Sequence, residues 1–234
     1  DHGRAAAGGR GRAPRRAVST GVIFDLDGVL ADSQAAITGS FRAALLACGH
    51  DDPGEEVLRS FIGPPPFVAI GGLLGFDPGH AEVARVVEAY RADYVPTYLD
   101  RTPTFAGVPE ALAELASRHR LAVATSKPQR FAAPLVERLG FGELIVHVAG
   151  PGDDKRIASK QADIAEALKA LEVERAVMVG DRRFDVEGAA ANGLPAVGVL
   201  WGIGDRAELE AAGAARIIAT PSGLAAACDA LLED

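Results

Sequence analysis

The sequence predicts an α/β fold: a doubly wound, Rossmann-like parallel sheet with a block of helices inserted after its first strand. From residue 108 onward, short apolar runs alternate with helical repeats, a pattern typical of βαβ units with right-handed crossovers. Between residues 33 and 104, helical repeats follow one another without a strand pattern. We therefore predict an α/β core made of residues 21–32 and 105–234, and a helical cap domain made of residues 33–104.

The first strand is predicted at 22–24, where three apolar residues occur without alternation, as in a buried parallel strand. The inserted block opens with a helix at 35–48, for which Asp32 or Ser33 is a suitable N-cap and Gly49 a suitable stop. Helical repeats and Gly-Pro stops place the remaining helices of the block at 55–62, 67–75 and 79–95.

The rest of the chain alternates between the two element types. Strands are predicted at 121–124, 144–149, 176–179, 195–199 and 216–219. Helices are predicted at 108–118, 132–139, 161–171, 185–192, 206–212 and 222–232.

The composition is that of a globular protein. Of its 234 residues, 48 % are hydrophobic and 24 % are charged, so the chain can bury a large core without disulfides. The two cysteines, Cys48 and Cys228, match no metal or redox spacing and indicate a reducing compartment. No apolar run has the length of a membrane span. We therefore expect a cytoplasmic protein with no membrane partner.

Residues 1–20 differ from the rest of the chain. They contain five arginines, one aspartate and many Gly and Ala residues, which predicts a disordered basic arm. The formal net charge of the whole chain is −8, so the remainder is strongly acidic. An acidic body argues against nucleic acid as the main partner.

Two carboxylates follow the first strand directly. Asp25 and Asp27 come after the apolar run, and Gly28 permits a sharp turn of the backbone there. The carboxyl end of a strand is where open α/β sheets bind their ligands. Two close carboxylates would hold a divalent cation bridged to an anionic substrate, or they would form a solvated acidic turn.

Polar residues also follow the strand at 121–124 and precede the helix at 161–171. The Thr125 hydroxyl, with Ser126 beside it, would bind a phosphoryl oxygen or cap the next helix. Lys160 opens its helix, where a positive charge opposes the helix dipole. This misfit favours a lysine that neutralises anions, although a solvated lysine would also account for it.

A second acidic pair follows the strand at 176–179. Gly180 allows a tight turn, and Asp181 and Asp185 would complete a site of hard oxygen ligands for Mg²⁺. The alternative is that Asp185 is a helix N-cap and Asp181 a loop acid.

These four signals, in this order, resemble the motifs of the haloacid dehalogenase superfamily of phosphohydrolases. The segment DLDGVLADS resembles its first motif, Thr125 its second, Lys160 its third and GDRRFD its fourth. The position of the helical block resembles the first cap class of the superfamily. The resemblance covers residues 21 to about 232.

The resemblance implies a mechanism with a covalent intermediate. Asp25 would attack phosphorus to form an aspartyl-phosphate, and Asp27 would protonate the leaving oxygen and then activate water. The Mg²⁺ cofactor would be held by Asp25, the backbone carbonyl of Asp27 and Asp181, with Asp185 near the metal. Thr125, Ser126 and Lys160 would bind the phosphoryl oxygens.

The segments ATSKP at 124–128, GPP at 63–65 and WGIGDRAEL at 201–209 resemble the phosphoglycolate-phosphatase-like branch. Gly63 and Pro64 would then reach the substrate from the junction of cap and core, or they would simply end a helix. The expected substrate is a small-molecule phosphomonoester such as phosphoglycolate, a sugar phosphate or a nucleotide. A second anionic group on it would need a helix N-terminus or one of five cap arginines, Arg42, Arg59, Arg85, Arg91 and Arg101.

Two other classes of function stay open at this stage. A phosphotransferase, or a protein-tyrosine kinase or phosphatase acting on a protein partner, would share the phosphoryl site, but no Gly-rich nucleotide loop occurs in the sequence. A non-catalytic regulatory member would not need all four motif residues. The sequence gives no indication of the oligomeric state.

Overall fold

The computed structural model describes residues 20–152 and 159–233. The predicted basic arm, apart from Thr20, lies outside the described residues. The strands are β1 (Thr20–Phe24), β2 (Arg120–Ala124), β3 (Ile145–Ala149), β4 (Arg175–Gly180), β5 (Ala196–Val199) and β6 (Arg216–Ile218). All strand pairs are parallel, and the order across the sheet is β3-β2-β1-β4-β5-β6. The predicted doubly wound sheet is therefore confirmed.

Six helices lie between β1 and β2. The first five form the inserted block, and the sixth leads into β2. The inserted helices are α1 (Gln34–Ala47), α2 (Glu55–Ser60), α3 (Pro66–Leu74), α4 (Ala81–Tyr94) and α5 (Tyr98–Arg101). The helices of the α/β core are α6 (Val108–Ala116), α7 (Gln129–Arg138), α8 (Lys160–Leu171), α9 (Arg183–Ala191), α10 (Arg206–Ala212) and α11 (Leu224–Glu233).

Helices cover both faces of the sheet, as the apolar sequence of β1 requires. Ile23 packs in one cluster with Ile164 and Leu171 of α8, whereas Val22 and Phe24 face the other cluster. Side chains alternate along a strand, so a strand that is apolar at every position is buried on both faces. The sheet is consequently a central layer between two layers of helices.

The inserted helices have an apolar core of their own that continues into the core of the sheet. Phe41 of α1 and Tyr90 of α4 are buried, with ring centroids 4.8 Å apart. The stripe predicted on the fourth helical repeat, Val83, Val86, Val87, Tyr90 and Tyr94, is fully on the buried face of α4. The domain limits at residues 33 and 104 stay a prediction.

The structure differs from the sequence prediction at several helix ends. The short helix α5 was not predicted, and α7 begins at Gln129 rather than at 132. Helix α9 begins at Arg183, which places Asp185 in its first turn and not at its N-cap. Ser33 occupies the N-cap position of α1, but its side chain makes no capping hydrogen bond. Among residues 20–152 and 159–233, no helix has the length and apolar character needed to cross a membrane.

Candidate active site

Three of the predicted site residues lie directly after neighbouring strands. Asp25 follows β1, Thr125 follows β2 and Asp181 follows β4. Because β1 pairs with β2 on one side and with β4 on the other, Phe24 is in register with both Val123 and Val179. The sheet order therefore brings these three side chains to one edge.

Lys160 reaches the same edge from the first residue of α8. Its ammonium Nζ lies 2.9 Å from Asp25 Oδ1 and 2.7 Å from Asp185 Oδ1. Burial alone would lower the pKa of Lys160, but the charges of Asp185 and Asp25 outweigh that effect and raise its pKa above the usual value. The lysine is therefore charged and joins the motif of β1 to the motif of β4.

Asp25 lies in a buried environment that disfavours the ionised form of its carboxyl group. Burial raises the pKa of Asp25 to about 7, with Lys160 acting in the opposite direction and Asp185 adding to the rise. Its Oδ1 also accepts a hydrogen bond of 2.7 Å from the backbone N–H of Leu26. One lysine thus does not offset the whole negative charge of the cluster.

Asp181 is the most enclosed carboxylate of the site. Its Oδ2 accepts a 2.6 Å hydrogen bond from the backbone N–H of Ile203, while its Oδ1 is buried without a hydrogen-bond partner among the described residues. Burial, followed by the charges of Asp185 and Asp25, raises the pKa of Asp181 well above its usual range. A buried oxygen without a partner is costly unless a ligand or ion compensates for it.

Asp25, Asp181 and Asp185 each offer a carboxylate oxygen, and these oxygens lie within 4.8 Å of one another. Oxygens of carboxylates are the ligands that Mg²⁺ prefers. The donor set, the excess of negative charge and the unpartnered Asp181 Oδ1 all fit a divalent cation.

Two glycines allow Asp181 to lie this close to the first motif. A Cβ atom on Gly28, whose φ is +87°, would collide with the Asp181 carboxylate. A Cβ atom on Gly202 would collide with the same carboxylate and with the carbonyl oxygen of Gly28. Trp201 Nε1 also donates to the carbonyl oxygen of Val29 at 3.1 Å. The WGIG segment therefore packs against the turn of the first motif.

Asp185 lies in the first turn of α9 and faces both the start of the helix and Lys160. Its Oδ2 accepts a 3.0 Å hydrogen bond from the backbone N–H of Arg182 and so caps the first turn of α9. Its Oδ1 is the atom that pairs with Lys160. Asp185 thus fixes the lysine and contributes to the acidic cluster.

Lys127 is a site residue that the motif analysis missed. Its Nζ donates to Asp27 Oδ2 at 2.8 Å and to the hydroxyl of Tyr94 at 2.8 Å. Burial tends to lower the pKa of Lys127, but Asp27, with smaller contributions from the tyrosines, raises it above its usual value. The sequence signal was its position three residues after β2, at the edge where the other site residues lie.

Thr125 and Ser126, the polar residues predicted after β2, also lie at the site. Thr125 is buried, and its Oγ1 accepts a hydrogen bond of 3.2 Å from the backbone N–H of Lys127. Ser126 lines the cavity in front of the carboxylates. Thr125 thus shapes the turn after β2 and also lines the cavity.

The cavity, of about 100 Å³, lies between the sheet edge and the inserted helices. Gly63 and Pro64 line it, and their contact with a substrate stays a prediction. The walls carry six aromatic rings, those of Phe41, Phe61, Phe67, Tyr90, Tyr94 and Phe131. A ligand bound at the carboxylates would therefore contact both the sheet and the helices.

Two arginines connect the inserted helices to the sheet. Arg59 of α2 donates to the carbonyl oxygens of Gly202 at 3.1 Å and Ile203 at 3.3 Å. Arg182 donates to the carbonyl oxygen of Ile62 and pairs with Glu208 at 2.9 Å. The contacts of Arg59 and the contact of Arg182 with Ile62 were not predicted, since they join residues more than 100 positions apart.

The family of the chain follows from a comparison with known proteins. The model of the haloacid dehalogenase-like hydrolases matches residues 22–199, which include all four motifs. The chain belongs to this family. The predicted membership of the haloacid dehalogenase superfamily is therefore confirmed, and so is the enzyme class at the level of the family, a phosphoric monoester hydrolase.

The individual relatives include phosphatases and a protein kinase. The chain is 37 % identical over 193 residues to a 5'-nucleotidase of Pseudomonas aeruginosa, covering 81 % of this chain and 86 % of that one. It is 40 % identical over 199 residues to the tyrosine-protein kinase PtkA of Mycobacterium tuberculosis, covering 81 % of this chain and 67 % of that one. Phosphoglycolate phosphatases are relatives as well.

A solved structure shares the whole fold. The crystal structure of a predicted phosphatase from Clostridium acetobutylicum is 30 % identical, with a TM-score of 0.83, and the similarity covers 92 % of this chain and 99 % of that one. The inserted helices are therefore part of the shared architecture.

Proposed function

We propose that this chain is a Mg²⁺-dependent phosphatase that hydrolyses a small-molecule phosphomonoester through an aspartyl-phosphate on Asp25. The observation that carries the proposal is the position of Lys160. Its ammonium lies between Asp25 and Asp185, in a cluster with a third carboxylate, and Asp25 lines a cavity large enough for a small ligand.

In the first step, Asp25 acts as the nucleophile. A carboxylate oxygen of Asp25 forms a bond to phosphorus while the bond from phosphorus to the leaving oxygen breaks. Lys160 and the Thr125 hydroxyl bind the phosphoryl oxygens and offset their negative charge. Phosphoryl transfer depends mainly on such positioning and charge stabilisation.

Asp27 moves the protons. It donates a proton to the leaving oxygen in the first step and accepts one from the attacking water in the second, which releases phosphate and restores Asp25. Lys127, which also donates to the Tyr94 hydroxyl, pairs with the Asp27 side chain, and Asp27 lines the cavity. The alternation of acid and base on one residue balances the protons over the cycle.

The proposed Mg²⁺ would be held by Asp25, the carbonyl oxygen of Asp27 and Asp181, with Asp185 beside them. When bound, the ion neutralises charge on the transferring phosphoryl group. We further propose that the helices of residues 33–104 act as a cap, opening to admit the substrate and closing to exclude water.

A second candidate is transfer of the phosphoryl group to a hydroxyl other than water, favoured by the 40 % identity to the tyrosine-protein kinase PtkA. The aspartyl-phosphate would form in the same way, and the acceptor oxygen would replace water in the second step. This candidate needs a donor such as ATP and an acceptor hydroxyl.

The deciding experiment is phosphate release from a panel of small phosphomonoesters, with and without Mg²⁺, by the wild type and by Asp25→Asn. The control variant is Asp77→Asn, which removes an exposed carboxylate of the loop between α3 and α4. Release that needs both Mg²⁺ and Asp25 supports the hydrolase. Transfer of labelled phosphate from ATP to a hydroxyl, without release from the panel, would support the second candidate instead.

A further inference from the structure

The inserted helices contribute five arginines, and the structure shows what each of them contacts. Arg42 pairs with Asp52 and Glu55, each at 2.8 Å. Arg59 donates to the backbone carbonyls of residues 202 and 203, and Arg85 to Glu82 and the carbonyl oxygen of Cys48. Arg101 pairs with Asp93 at 3.4 Å. None of these four guanidinium groups lines the cavity.

Arg91 is the arginine of this set that lines the cavity. Its guanidinium lies over the ring of Phe67, 5.4 Å from the centroid. Its ion-pair partner among the described residues is Glu88, at 3.3 Å, whose side chain is 74 % exposed. A pair of this kind contributes little and is easily exchanged for a ligand.

Arg91 lies on the same helix as Tyr94, and both residues line the cavity. Arg91 and Tyr94 are three residues apart on α4, about 4.5 Å along the helix axis. The Tyr94 hydroxyl contacts Lys127, which contacts Asp27. A leaving group that extends from Asp27 along α4 therefore passes Tyr94 and approaches Arg91.

Most other cationic side chains at the cavity are held by carboxylates, and the guanidinium of Arg130 lies over the ring of Phe131, 4.6 Å from the centroid. Lys127 pairs with Asp27, Lys160 with Asp25 and Asp185, and Arg182 with Glu208. Arg91 is set in an apolar wall that includes Phe67, Tyr90 and Val95. In such a wall a guanidinium binds a carboxylate or phosphate more strongly than it does in water.

We propose that Arg91 binds a second anionic group on the substrate, so that the preferred phosphomonoesters carry a carboxylate or a second phosphate on the leaving group. This inference rests on the proposed function and specifies its substrate class. A planar guanidinium suits both anions because it can donate two parallel hydrogen bonds to either.

The test compares matched substrates that differ in the second anion. The carboxylate pair is 3-phosphoglycerate and glycerol 3-phosphate, and the phosphate pair is fructose 1,6-bisphosphate and fructose 6-phosphate. We expect kcat/KM to be about tenfold or more higher for the member of at least one pair whose leaving group carries the second anion, the order of a charge-assisted hydrogen bond. The pair that shows the preference identifies which anion is bound.

The variants then assign the preference to one residue. Arg91→Gln should reduce the ratio of kcat/KM within the pair to about one, mainly through KM of the anionic substrate. Arg91→Lys should restore part of it. The control is Arg85→Gln on the same helix, which removes an equal charge outside the cavity and should leave the ratio as in the wild type.

Three outcomes would overturn the inference. Equal kcat/KM within both pairs would show that no second anion is recognised, while leaving the phosphatase intact. A ratio that survives Arg91→Gln and is lost in Arg130→Gln would assign the subsite to the cavity arginine of α7. Release of phosphate from no substrate at all would overturn the proposed function and this inference with it.

Discussion

Lys127 Nζ lies 2.8 Å from Asp27 Oδ2, and both side chains are largely buried. The same ammonium donates to the hydroxyl of Tyr94 at 2.8 Å. The residue proposed to move protons is thus connected, through one lysine of the sheet edge, to a tyrosine of the inserted helices. The position of Asp27 therefore depends on residues from both parts of the protein.

Replacing this lysine should impair Asp27 specifically. We expect Lys127→Met to lower kcat about 100-fold, a typical contribution of acid–base catalysis, and to destabilise the fold by about 1–3 kcal/mol because a polar partner of Asp27 is lost. The measurements are steady-state kinetics and denaturant unfolding. Lys169→Met, at an exposed position of α8, is the matched control.

A double-mutant cycle shows whether Lys127 acts through Asp27. If it does, Asp27→Asn combined with Lys127→Met should have nearly the kcat of Asp27→Asn alone. Additive losses in kcat would contradict this link. Tyr94→Phe removes only the hydroxyl and should have a smaller effect, about 0.5–1.5 kcal/mol on stability.

The nucleophile prediction concerns Asp25. Asp25→Asn keeps the size of the side chain but removes the attacking carboxylate, so kcat should fall by about 1,000-fold or more. Circular dichroism should show an intact fold. Activity close to that of Asp77→Asn would mean that Asp25 does not form the covalent intermediate.

The pH dependence of stability follows from the raised pKa of Asp25, which is about 7. Between the ordinary pKa of an aspartate and pH 7, the native state binds more protons at this residue than the unfolded state does. The Asp25 contribution to stability without metal is therefore lost as the pH rises through this window. Mg²⁺ binds the ionised carboxylates, so its stabilisation should grow over the same window.

Thermal unfolding in EDTA and in Mg²⁺, at intervals from pH 5 to pH 8, measures both effects. Asp25→Asn is the reference, because subtracting its curve removes the titration of the histidines and the other acids. We expect the difference between wild type and variant to decline with pH in EDTA. A Mg²⁺-induced rise in Tm that is equal at pH 5 and pH 8 would argue against ionised Asp25 as a metal ligand.

The close packing around Asp181 leads to a prediction for Gly202. In Gly202→Ala the new Cβ would collide with the Asp181 carboxylate and with the backbone of Gly28, so we expect a loss of about 1–3 kcal/mol in stability and weaker Mg²⁺ binding. Gly79→Ala is the control, because its Cβ would meet no atom within 4 Å. Calorimetric titration with Mg²⁺ compares the two, and equal affinity would contradict the proposed role of Asp181.

The sequence by itself determined the strands, most of the helices and the edge of the sheet that carries the chemistry. Apolar runs without alternation mark β1, β2 and β4 because these strands are buried on both faces, a property local to each run. The polar residues that follow them, such as Asp25 and Asp181, then lie at the carboxyl ends of parallel strands. Local patterns are sufficient for that inference.

Only the tertiary structure decided how these residues are paired. The order β2-β1-β4 places Thr125 and Asp181 on either side of Asp25, and strand order depends on long-range packing rather than on local pattern. The contact of Lys127 with Tyr94 joins residues 33 positions apart, and the helical stripe had identified Tyr94 only as an apolar position. The packing of α4 on α1 likewise decided which of the five arginines faces the cavity. A helical repeat shows which face of a helix is apolar, but it does not show what lies opposite that face.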